Sequence, residues 1–353
     1  MTYWEAEKLK NSALIARALL ALPVVFLCNK AFAEDQCQLQ QYTSVPITLT
    51  ASHHIFVPAS LDGTEFQFLL MTGTFATIIS HGAADQLGLH AVLSRKFDAY
   101  GFKGPIRGFK VTIGEMKLGT LAIHNIDLAY SDTPDVTKAD EELDKAQIAG
   151  KKFGGDLALS ALNESDVEID LNAKKLNVFS SDHCDGAGLY WAQRGVVADI
   201  HEEDRYRIVF RTTLNGKDFP SELVTSFGQT TISWRKANAL GISPESPGVT
   251  LVANSASGEA RKDALSDYVL QTLQIGGEKL SNFPIKIQEF KIAKPPDTGS
   301  RINRNDENVE VSIGTDFLML NRVYIAPREH KMYFTPYTAE EKRAIAAGVV
   351  SID

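Results

Sequence analysis

The stretch of this chain most shaped for chemistry is FQFLLMTGTFATIIS at 66–80, where an apolar run climbs into a tight Met71-Thr72-Gly73 turn and leaves through a Thr-rich strand. A turn of that kind presents one side chain at the end of a strand, where a carboxylate would be placed to exchange a proton with a substrate. Methionine cannot do this. His53-His54 and Asp182-His183-Cys184 hold metal-ligand types, but no partner stands at metal spacing, so they read as solvated loop residues and a disulfide cysteine. No G-x-S-x-G elbow presents a nucleophile, and Gly276-Gly277 reads as a turn rather than a phosphate loop. No metal ligand and no cofactor is expected.

The elements that position this turn occur twice. LDGTEFQFLLMTGTFATIISHGAADQLGL (61–89) lies without a gap on LNGKDFPSELVTSFGQTTISWRKANALGI (214–242), with eleven of 29 positions identical and each residue 153 positions from its twin. A second block, LALSALNESDVEIDLNAKKLNV (157–178), lies on IGTDFLMLNRVYIAPREHKMYF (313–334). Both copies read as a short apolar turn, a strand, a polar hairpin loop and a returning strand. The chain is therefore expected to form two mostly β lobes, 42–182 and 204–337, joined by a polar connector at 183–203. Each lobe should carry one short helix, HGAADQLG or WRKANALG. A C-terminal helix and tail at 338–353 would be capped by Thr338 with Glu341 three residues on.

Residues 1–33 stand apart. Lys8, Lys10 and Arg17 precede or enter an apolar stretch from Ala13 to Cys28, and Ala31-Phe32-Ala33 supplies a small-x-small pattern before Glu34. This reads as a secretory signal cut after Ala33, giving a periplasmic or secreted protein. An uncleaved anchor is the alternative, although the run is short for a span of about 20 apolar residues; a lipoprotein reading is weaker, because the bulky Leu27 precedes Cys28. Cleavage removes four basic and two acidic residues and takes the formal charge from −8 to −10. An acidic chain without a basic, aromatic-laced patch is not expected to bind nucleic acid. Two cysteines would remain, Cys37 and Cys184, and in an oxidising compartment a disulfide between them is the expectation.

Taken together, the L-x-G loop, the apolar strand ending in x-Thr-Gly, the Thr-rich strand, the helix closing in Leu-Gly-Leu, and the later IGTDFL, RVYI and MYF resemble a retropepsin-like aspartic peptidase of the two-lobed bacterial kind. The likeness covers nearly the whole chain after residue 33, with two motifs recurring in order in both halves. It implies an all-β, bilobal acid-protease fold with barrel-like lobes, a substrate groove between them and a flap over the groove. In that family each lobe gives one aspartate from an Asp-Thr-Gly turn. The two carboxylates share one proton and hold a water, one accepting its proton as the other protonates the peptide carbonyl.

Carried over residue by residue, the two aspartates fall on Met71 and Val224, neither of which titrates. The first turn keeps Thr72 and Gly73; the second reads Val224-Thr225-Ser226, with Ser226 in place of the glycine. The threonines would tie the turns together, as in the family. Glu222, two residues before Val224, reads as a partly exposed strand carboxylate rather than a substitute acid. A literal Asp297-Thr298-Gly299 follows Pro-Pro, has no apolar strand leading in and lies outside both repeats, so it reads as a loop. Tyr100-Gly101-Phe102-Lys103-Gly104-Pro105 occupies the flap position, with Tyr100, Gly101 and Phe102 as candidate groove residues and a surface hairpin as the plainer alternative. The second lobe's counterpart, ANSASGEARKD, is small and polar.

The expected function is thus a non-catalytic, aspartic-peptidase-like protein that binds an extended peptide or partner protein between its lobes, as a monomer with no membrane span after signal removal. One alternative is an active endopeptidase using an unrecognised acid pair; the other is a structural module with a filled groove.

Overall fold

The computed structural model describes residues 38–101, 104–131, 143, 147–162, 165–201, 207–253, 265–289 and 309–351. Residues 1–33, Cys37, Phe102, the 254–264 segment and Asp297-Thr298-Gly299 lie outside them.

Strands dominate, and two sheets repeat one plan. In the first half, the hairpin Ile55–Leu61 and Thr64–Met71 is followed in the sheet by Phe153–Ala158, then the two-residue strand Ile78–Ile79, then the hairpin Leu121–Tyr130 and Phe109–Leu118. In the second half the order is Val209–Leu214, Lys217–Leu223, Val311–Ile313, Thr231–Ser233, Glu278–Gln288 and Leu265–Ile275. In each, the first strand also pairs with the last long hairpin and curls the sheet toward closure. A third sheet of six strands, ordered Gln41–Pro46, Lys175–Phe179, Asp166–Asp170, Asn321–Ala326, Lys331–Pro336 and Val196–Asp199, draws on both halves. The architecture is all-β with short helices. Among the described residues, no helix is long and apolar enough to cross a membrane.

Local sequence explains why the plan repeats. Asp62-Gly63 and Asn215-Gly216 take positive φ (45° and 83°; 46° and 83°), the conformation a two-residue hairpin turn requires, so each apolar strand folds back on its predecessor in register. Ser80 and Ser233 cap the helices His81–Gln86 and Trp234–Ala239, each hydroxyl accepting from the amide three residues on. Thr77 and Thr230, also twins, accept from the amides of Ala158 and Gly314 through their side chains. Phe66, Phe68 and Leu70 in one half and Phe210, Leu214 and Leu223 in the other are fully enclosed. The helix Ala339–Ala347 has a full capping box between Thr338 and Glu341.

The connector is more than a link. Its residues Val196–Asp199 extend the shared sheet by pairing with Lys331–Pro336, and Leu189 and Trp191 pack on Phe179, Tyr324 and Tyr333.

Gly155 sets the closest backbone approach near the first turn. It sits at a register shift with φ 129°, and a Cβ there would stand 2.0 Å from the carbonyl oxygen of Ile78. Gly155→Ala should cost about 2–4 kcal/mol from backbone strain and overpacking, read as a lower urea midpoint with an unchanged slope.

Candidate functional site

The strands Thr64–Met71 and Lys217–Leu223 each run parallel to a later strand, with Leu70 beside Leu157 and Leu223 beside Ile313. Both deliver their following turn to a common place, where four hydrogen bonds join the two halves. The Thr72 amide donates to Thr225 Oγ1 (3.1 Å) and the Thr225 amide to Thr72 Oγ1 (3.2 Å). Thr72 Oγ1 donates to the Leu223 carbonyl and Thr225 Oγ1 to the Leu70 carbonyl, both at 2.5 Å. Thr72 and Thr225 are buried to 1% and 0% exposure, so every one of these bonds is made away from water. Sequence reasoning expected the threonines to join the turns, and their contacts are reciprocal to the atom.

Met71 and Val224 therefore stand one residue before the paired threonines. Met71 is half-buried and Val224 buried. A Cβ built on Gly73 would meet Val224 Cγ1 at 3.3 Å and Glu222 Oε1 at 3.1 Å, so the second turn presses on the first at a glycine. Glu222 is not the partly exposed carboxylate expected from sequence: it is 6% exposed, accepts from Arg207 at 2.5 Å, and faces the opposite turn. The expectation failed because its neighbours come from distant segments. The described contacts pair this carboxylate with a guanidinium and place no second carboxylate against it.

Two further contacts brace the second turn from the first half. His54 Nε2 donates to the Ser226 carbonyl (3.2 Å) and His53 Nδ1 to that of Gly228 (3.2 Å). His54 Nδ1 lies 3.1 Å from Ser52 Oγ, which suits a neutral ring, and burial lowers its pKa. A Cβ on Gly228 would be 2.0 Å from the Ser52 carbonyl oxygen. Read from sequence as solvated, this histidine pair is a joint between the halves; no spacing signal announced it.

Asp316, from the IGTDFL motif, supports the same turn. Its carboxylate accepts from Thr230 through both amide and hydroxyl (2.7 Å each) and from the Phe317 amide (2.9 Å). Burial outweighs these donors and pushes its pKa up to about 6.

At the flap position, Ala99–Gly101 pairs antiparallel with Gly104–Ile106, Tyr100 opposite Pro105 and Gly101 opposite Gly104. The neck of this hairpin is fixed: the Gly108 amide donates to Asp98 Oδ1 (2.9 Å), and Phe97 packs with Ala76, Ile78 and Ala129. The Phe97 ring also stacks on Phe75, two residues past Gly73, at 6.5 Å between centroids. The hairpin is thereby anchored behind the first turn.

His183 departs from its solvated reading as well. Its side chain is 1% exposed and lies 2.7 Å from Asp166. Cys184 is disulfide-bonded.

Residues 57–138, which span the first turn and this hairpin, match the family described as "gag-polyprotein putative aspartyl protease". Comparison with curated proteins finds no match. Among solved structures, that of an aspartic proteinase from Irpex lacteus aligns with 84% of this chain and 97% of its own, at 12% identity and a TM-score of 0.47. Over residues 57–138 the chain is similar in sequence to retropepsin-like aspartyl proteases, and its fold is all-β.

Two outcomes follow from this geometry. Thr72→Val and Thr225→Val should each cost about 2–3 kcal/mol, because each strips a buried carbonyl and a buried amide of their partner. The double variant should cost less than the sum, since the bonds form one network; chemical unfolding of the three variants measures this. For Asp316, a folded pKa above the unfolded value near 3.9 means stability is lost as pH rises from about 4 to about 6. Asp316→Asn should flatten that part of the melting temperature against pH curve.

Proposed function

We propose that this protein is an aspartic-peptidase-like binder without peptidase activity, taking an extended peptide or peptide segment of a partner protein between its two lobes. One observation carries the reading: the threonine grip that holds two active-site turns together is complete, while the residues preceding it, Met71 and Val224, have no titratable group. General acid-base catalysis needs such a group within hydrogen-bond reach of substrate and water. In this reading Met71 and Val224 occupy the dyad positions, Thr72, Gly73, Thr225 and Ser226 form the floor, and the hairpin carrying Tyr100, Gly101 and Phe102 closes over the ligand.

The layout proposed is a signal at 1–33, lobes at 42–182 and 204–337 with the connector between them, and a tail from 338. The mature chain would be a periplasmic or secreted monomer, with Cys37 paired to Cys184; the disulfide at Cys184 supports an oxidising compartment.

Panning an extended-peptide library on the full mature chain should yield bound peptides that the chain leaves intact. The triple variant Met71→Asp, Val224→Asp, Ser226→Gly should then cleave those same peptides with an acid optimum. Binding without cleavage by the triple variant would mean that the turns are not a lost dyad. Neither binding nor cleavage would favour a structural module with a filled groove.

A further inference from the structure

The strand Asp166–Asp170 carries three acids, Asp166, Glu168 and Asp170, at alternate positions, and alternation puts them on one face of the shared sheet. All three are buried, at 1%, 0% and 5% exposure. Two are well met. Glu168 accepts from Arg322 (2.6 Å), Asn177 (2.6 Å) and Tyr190 (2.8 Å). Asp170 accepts from Tyr337 (3.1 Å) and the Ala173 amide (2.9 Å) and pairs with Arg322 (3.2 Å).

Asp166 is different. One oxygen meets His183 Nε2 at 2.7 Å, and the other has no hydrogen-bond partner. Beside it the buried hydroxyl of Tyr324 lies near enough to Asp166 to influence its charge but outside good hydrogen-bond geometry, and the Oε1 of Glu329 has no hydrogen-bond partner. Glu329 Oε1 stands 3.7 Å from His183 Nδ1, while Oε2 accepts from Tyr333 and from the Gly186 amide (3.0 Å). Two buried carboxylate oxygens without a well-formed hydrogen bond beside one buried imidazole are unmet polar groups that ordinary folding avoids. On this face Arg322 pairs with Glu168 and Asp170, and among the described residues His183 is the basic group set against Asp166 and Glu329.

We propose that Asp166, His183 and Glu329 form a binding site for a zinc-class divalent cation, with the Tyr324 hydroxyl alongside. The three donor atoms already lie within 4.8 Å of one another. Ligands at about 2.0–2.2 Å from one tetrahedral ion stand roughly 3.4 Å apart, so Asp166 and His183, now 2.7 Å apart, would part slightly as the ion enters and Glu329 would move in. The imidazole is already oriented for ligation, since Nδ1 donates to the Cys184 carbonyl at 2.9 Å and leaves Nε2 as the donor atom facing Asp166. The short Asp166–His183 contact needs a proton between its two atoms, and a cation takes that place. Calcium and magnesium fit poorly, since they seek six or more oxygens and keep waters. Here one donor is nitrogen, and the three side chains are buried, with Tyr333 donating to Glu329. The site would staple a first-half strand, the connector and a second-half hairpin loop beside the Cys184 disulfide.

The test uses the full mature chain, stripped with a chelator and titrated with zinc chloride. One zinc per chain and a raised melting temperature are expected, both lost in His183→Gln and Glu329→Gln. Glu329→Gln keeps a carbonyl for Tyr333 and Gly186, so it should fold even if His183→Gln does not. Crystals of the wild-type protein grown with zinc should give an anomalous peak within about 2.3 Å of all three side chains. A peak elsewhere, no peak, or unchanged zinc binding by Glu329→Gln would overturn the site and leave a buried imidazolium between carboxylates.

Discussion

The rest of this structure depends on the reciprocal bonding of Thr72 and Thr225. Two sheets of the same plan each deliver a strand end to the middle of the molecule, and there each threonine serves both the partner's amide and the carbonyl two residues before the partner threonine. Such an arrangement is self-complementary, so it constrains both halves at once, and neither threonine can change without stranding buried groups in the opposite half. It asks nothing of the residues at 71 and 224. Two carboxylates placed there would carry a cost of like charge and burial, whereas Met71 and Val224 carry none. The grip is therefore independent of which side chains stand at 71 and 224.

Around that common centre the two turns are supported unequally. The first keeps Gly73, whose missing side chain admits Glu222 and Val224, and has an aromatic hairpin fixed behind it through Phe97 and Phe75. The second is held from both sides, by His53 and His54 from the first half and by Asp316 through Thr230 from its own.

Features set by neighbours in the chain were legible in the sequence. The loops at Asp62-Gly63 and Asn215-Gly216 and the two short helices belong to a repeat whose offset of 153 residues could be counted directly, and the pairing of the Thr-bearing turns was implied by the family resemblance. What stayed hidden was set by neighbours far away in sequence. Glu222 looked exposed because nothing nearby signals that Gly73 will face it. His183 looked solvated because Asp166 lies 17 residues back and Glu329 arrives with the second lobe's hairpin loop. The connector looked like a link because a single added strand at Val196–Asp199 has no partner in its own neighbourhood.

The central claim is that the turns hold together without being able to move a proton. Its most direct test is to incubate the purified mature chain with a broad peptide library across acid and neutral pH and to read every cleavage by mass spectrometry. No cut above a heat-inactivated control is the result this account predicts; cleavage in acid that a pepstatin-type inhibitor stops would contradict it.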